Sequence, residues 1–123
     1  MKRDLLGETS EEDRFHNRTQ LDEYIKSEIE RQGENVVIRN LDVSLVDDLS
    51  GLFFGVASNV KTLDLSGWKT SNVKNMSDMF LLCRGLKSLN LSGWDTSNVK
   101  NMNGMFYDCS APYEVVDNKI VKK

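Results

Sequence analysis

Between Lys87 and Ser92 apolar and polar positions alternate, so Leu89 and Leu91 point one way and Ser88, Asn90 and Ser92 the other. The alternation predicts a short strand with one buried face. Val99 and Met102 follow, three residues apart, and then Met105, Phe106 and Cys109, a spacing that predicts a turn of α- or 3₁₀-helix. One such stretch cannot bury all of these side chains alone.

The stretch is a copy. Leu63 to Met76, Leu-Asp-Leu-Ser-Gly-Trp-Lys-Thr-Ser-Asn-Val-Lys-Asn-Met, returns 26 residues later as Leu89 to Met102, and Met79, Phe80 and Cys83 return as Met105, Phe106 and Cys109. A degenerate earlier copy follows at an offset of 27, with Val36, Ile38, Leu41, Val46, Leu49, Leu52 and Phe53 on Leu63, Leu65, Trp68, Val73, Met76, Met79 and Phe80. The extra residue falls between Phe53 and Val60. Downstream, Val115 falls on Leu89, so Tyr113 to Asp117 reads as the opening strand of an unfinished fourth unit. Coiled and stacked, such units place like side chains about 4.8 Å apart in a parallel sheet over a columnar core.

A stack exposes raw core at its ends, and both ends carry capping signals. Thr19 and Asp22 resemble a capping box, Leu21, Tyr24, Ile25 and Ile29 share one helical face, and Gly33 suits the position after the helix. Val115 to Val121 reads as a tight hairpin closing the other end, with Lys122 and Lys123 deterring edge pairing. The expected organisation is an acidic, loosely ordered arm over 1–18 and one domain over 19–123. That domain divides into a helical cap at 19–33, repeats at 35–61, 62–87 and 88–113, and a C-terminal cap at 114–123.

Composition bounds the function. The 123 residues hold 16 Lys or Arg and 19 Asp or Glu, for a net charge of −3. Residues 1–34 carry six basic and ten acidic side chains, and no polybasic footprint for nucleic acid exists anywhere. No segment approaches the roughly 18 apolar residues of a membrane span, and the start turns acidic where a signal peptide is apolar. The expected location is the cytoplasm, or the cell surface or medium if an export signal precedes this sequence.

The units resemble the leucine-rich repeats of the BspA-like bacterial surface-protein family, whose hallmark runs Leu-x-x-Leu-x-Leu-Ser-x-Trp/Phe-Asp-Thr-Ser-x-Val-x-x-Met-x-x-Met-Phe-x-x-Cys. The pattern stands almost complete in Leu86 to Cys109 and in Val60 to Cys83, and the likeness covers about residues 19–113. It implies an α/β chain forming a short right-handed leucine-rich-repeat solenoid. It also implies adhesion and protein interaction, usually in long exported or anchored arrays, whereas this chain has about three units and no export signal.

Catalytic material is sparse. The single histidine, His16, lies outside every repeated position, no Gly-x-Ser-x-Gly elbow accompanies Ser66 or Ser92, and two cysteines with one distant histidine do not make a zinc site. No enzyme activity, metal or cofactor is expected. Cys83 and Cys109 read as two buried thiols in a reducing compartment and as a cross-unit disulfide in an oxidising one. Thr70/Thr96, Ser71/Ser97, Asn72/Asn98 and Asn75/Asn101 read as hydrogen-bond ladders at the corners. Sequons at Asn17, Asn75 and Asn90 matter only after export.

What remains for function is the outward strand face. Its expected contact residues are Val37, Arg39, Thr62, Asp64, Ser66, Ser88, Asn90 and Ser92, continued by Glu114 and Val116, with Trp68 and Trp94 as an aromatic stripe beside them. A flat, polar face suits a protein partner better than a small molecule. The expected function is a monomeric, non-catalytic protein-interaction module. The alternatives are a cell-surface adhesion protein and a phage-borne inhibitor of a host defence enzyme.

Overall fold

The structure, a computed structural model, describes residues 14–55 and 58–123. Helix α1 spans Arg18–Gln32. Its cap lies two residues before the expected Thr19: Asn17 accepts the amide of Gln20 at 2.9 Å, and the Gln20 side chain accepts that of His16 at 2.9 Å. Asp22 instead pairs with Arg18 at 2.7 Å. Leu21 and Ile25 are buried, with Tyr24 and Ile29 packed beside them, as the 3.6-residue pattern predicts. The helix ends at Gly33, which takes a φ of +79° and donates its amide to Ile29 at 3.0 Å.

The arm expected over 1–18 gives up its last residues to the fold. Phe15 is fully buried, its ring 5.4 Å from that of Tyr24. The rest of that arm, 1–13, lies outside the described residues.

Strands β1 (Asn35–Val37), β2 (Thr62–Asp64) and β3 (Ser88–Asn90) form one parallel sheet in that order. Val36 pairs with Leu63 and Leu63 with Leu89, so the 27- and 26-residue offsets become the sheet register. These three face the core and their strand neighbours face outward. Beyond the strands the register holds, with Asp48 bridging to Asn75 and Asn75 to Asn101. Phe53, Phe80 and Phe106 stack at 5.3 and 5.5 Å with rings within 5° of parallel.

The Met-Phe half of each unit is a run of turns, and no helix forms there. Leu52, Phe54, Met105 and Tyr107 amides close back three residues, but Phe53 and Phe80 donate across to Met79 and Met105 of the next unit. Amides committed to a neighbour are lost to a helix.

The C-terminal segment departs from the expected fourth unit. β4 (Tyr113–Val116) pairs antiparallel with β5 (Lys119–Lys122) and not with β3. Asp117 and Asn118 both have positive φ, 52° and 58°, which gives the two-residue turn whose twist suits a hairpin. Glu114 and Val116 therefore do not extend the sheet face. Tyr113 supplies the next aromatic layer, 5.8 Å from Phe106, and its hydroxyl donates to Leu89 at 2.8 Å.

Candidate interaction surface

The outward face of β1–β3 is held rigidly by its own turns. Asp64 accepts the Ser66 amide at 3.0 Å, and Asn90 accepts the Ser92 amide and hydroxyl at 2.9 and 2.5 Å. The exits of β2 and β3 are thus Asx turns, repeated one layer apart. Thr62 donates its hydroxyl to Asn35 at 2.9 Å, tying the first two strands on the same face. Val37, Arg39, Ser88, Asn90 and Ser92 are exposed, and Thr62, Asp64 and Ser66 half-buried. All eight lie on the three strands or within two residues of their ends.

The tryptophans do not join it as expected. Trp68 is 1% exposed, and its indole N–H donates to Ile38 at 2.6 Å, so it is core. Trp94 donates equivalently to Leu65 at 2.6 Å and stacks 5.3 Å from Trp68, but stays half-buried because no later unit covers it. Burial follows position in the stack, which the repeated Trp does not reveal.

The corner polar residues do form ladders. Asn72 donates to Ser44 at 3.0 Å, Asn98 to Ser71 at 2.6 Å, and the Thr70 hydroxyl to Asp95 at 3.0 Å. Beside them runs an open groove of about 650 Å³ whose lining includes Leu45, Asp47, Lys74 and Lys100. A second feature missed by the sequence reading is an apolar column, Phe54, Leu81 and Tyr107, at equivalent positions of the three units, with Tyr107 68% exposed. The signal was available: all three are apolar at offsets of 27 and 26.

Asp42 is the buried carboxylate of this side. Burial pushes its pKa up, but the hydroxyl and amide of Ser44 and the Arg14 guanidinium, 2.8 Å away, together hold it below the usual value. Phe15 donates its amide to the Asp42 carbonyl at 3.4 Å. The Asp42 cluster therefore fastens the N-terminal segment to the first unit.

Cys83 and Cys109 are free thiols at equivalent positions. Burial, and secondarily its neighbour Cys109, pushes the Cys83 thiol up to about 12, and burial raises Cys109 as well. Neither is an activated nucleophile. Among the described residues no group of three or more His, Cys, Asp or Glu is placed to hold a metal ion, and no helix is long and apolar enough to cross a membrane.

A family model described as a Mycoplasma protein of unknown function, DUF285, matches residues 15–119. No curated protein and no solved structure matches the chain.

Proposed function

The chain belongs to that family, and from this premise we propose that it is a non-catalytic protein-interaction module. Its architecture is that of a short right-handed leucine-rich-repeat solenoid of BspA-like type. The observation that carries the reading is the division of each strand, with Val36, Leu63 and Leu89 committed to the core and the alternate side chains to a flat outward face. Seven of the eight residues of that face are polar, the exception being Val37, which is 40% exposed. The Thr62–Asn35 bond and the turns at Asp64 and Asn90 fix part of that face, so a partner meets a partly preorganised surface and loses less ordering entropy on docking.

The test needs substitutions that change the face and spare the turns. Asp64 and Asn90 both accept turn amides, so replacing them disturbs the backbone as well. Val37→Glu with Ser88→Arg alters two outward positions instead. Affinity capture from the native cell should lose its partner with this double variant while thermal unfolding stays within about 0.5 kcal/mol of the parent. Retention of the same partner at full strength would show that the strand face is not the docking surface.

A further inference from the structure

Among the described residues, the donors that link one unit to the next continue into the third unit with no acceptor beyond it. In the second unit, alternate amides donate to the third: Met76, Asp78 and Phe80 bind the carbonyls of Asn101, Asn103 and Met105 at 2.8, 2.9 and 2.9 Å. The equivalent amides of the third unit belong to Met102, Gly104 and Phe106, and among the described residues they have no protein acceptor. All three residues line a cleft of about 300 Å³ between the third unit and the β4–β5 hairpin. Met102 and Met105 give it a buried apolar floor, and Tyr107 stands exposed at its mouth.

Donors on every second residue require carbonyls on every second residue, and within this fold a run of turns supplies them, through the carbonyls of Asn101, Asn103 and Met105. The apolar floor requires apolar side chains from the same segment. The molecule holds an example of what fits. Residues 101–107, Asn-Met-Asn-Gly-Met-Phe-Tyr, lie against the matching amides of the second unit, and the cleft is the continuation of that interface.

We propose that this cleft captures a segment of a partner protein bearing a Met-x-x-Met-Phe pattern, laid down in the same run of turns as one more layer on the amides of Met102, Gly104 and Phe106. A second copy of the chain is a poor occupant. Its own matching segments are built into its core, where Met76, Met79, Phe80, Met102 and Met105 are all buried. This surface is separate from the strand face, so either reading can fail alone.

The experiment titrates the ¹⁵N-labelled full chain with the synthetic peptide Asn-Met-Asn-Gly-Met-Phe-Tyr. The amide protons of Met102, Gly104 and Phe106 should move downfield saturably and exchange more slowly, while Ser88 stays unmoved. A peptide with both Met and the Phe replaced by Ser should do neither. Tyr107→Arg, at the exposed mouth, should weaken binding roughly tenfold without altering the rest of the spectrum. The proposal is overturned by no saturable change, by an equal response to the Ser peptide, or by shifts centred elsewhere. It is equally overturned if the three amides shift on concentrating the protein alone, which would make a second copy the occupant.

Discussion

Phe80 is the side chain on which the columnar core can be tested most directly. It is fully buried and lies between two rings, Phe53 at 5.3 Å and Phe106 at 5.5 Å, nearly parallel to both. Phe80→Ala removes the transfer free energy of the ring, leaves a cavity walled by two aromatic faces that the backbone register prevents from closing, and should cost about 4 kcal/mol. Phe106→Ala acts at a half-buried ring whose outer neighbour is Tyr113, and should cost about 2 kcal/mol. The double variant should fall short of additivity by about 1 kcal/mol, the worth of one ring pair. Urea unfolding read by two probes checks this, because far-UV circular dichroism follows α1 at one end and tryptophan fluorescence follows Trp68 and Trp94 toward the other. With a total stability of about 5–15 kcal/mol for a domain of this size, Phe80→Ala remains measurable. The reasoning is refuted if Phe80→Ala costs less than about 1.5 kcal/mol, or if Phe106→Ala separates the two probes, since the units would then melt independently.

Gln32→Ala removes the amide that occupies both the N–H and C=O of Val37, at 2.7 and 2.9 Å, and should cost about 1–2 kcal/mol. It also bares the β1 edge, so light scattering should show concentration-dependent association that the parent lacks. Asp42→Asn should cost about 1–3 kcal/mol at neutral pH through loss of the charged pair with Arg14. Because the folded pKa of Asp42 is depressed, its contribution is complete above the usual value of 3.8 and is lost as pH falls through the lower folded value. Acid titration of stability below pH 4 should therefore be flatter in the variant than in the parent. Cys83 runs the other way: its thiol is raised from 9.0 to about 12, so the unfolded chain releases that proton first and stability declines as pH climbs between those values. The decline should be shallower in Cys83→Ala, and the native thiol should react with a disulfide reagent at pH 8 far more slowly than in urea.

Much of the fold was legible because period two and period 26 survive translation into coordinates. Leu63 and Leu89 are sheet partners, and the α1 face through Leu21 and Ile25 is buried. What escaped the sequence depended on competition or on position. Thr19 and Asn17 are both good caps, and Asn17 prevails with Gln20 three residues after it, which donates its amide to Asn17 and accepts that of His16. The hairpin expected over Val115 to Val121 forms, but the match of Val115 to Leu89 does not become a fourth sheet strand, because an antiparallel partner five residues away across the Asp117-Asn118 turn is reached at lower loop entropy than a parallel one. Trp68 was placed on the candidate surface because the repeat motif is the same for both tryptophans, while the covering layer exists for only one of them. Phe15 gave no periodic signal, being a single apolar residue beside an acidic run.

In the Met-Phe half the two ends of the stack pose opposite chemical problems. In the Met-Phe half of each unit the amides point toward the following unit and the carbonyls toward the preceding one, as Leu49 to Asn75 and Met76 to Asn101 show at 2.8 Å each. In this half the first unit therefore presents carbonyls at its free end, and the N-terminal segment brings a donor to one of them. Arg18 reaches the Asp48 carbonyl at 3.3 Å, in the same column as the carbonyls of Asn75 and Asn101. The third unit presents amides, and the hairpin answers with donors of its own: the Tyr113 hydroxyl on Leu89 and the Asn118 amide on Val99, at 2.8 Å each. Those satisfy strand and corner carbonyls and can do nothing for the N–H groups of Met102, Gly104 and Phe106. An end with aligned donors over a methionine floor is matched to a chain segment that brings carbonyls with it.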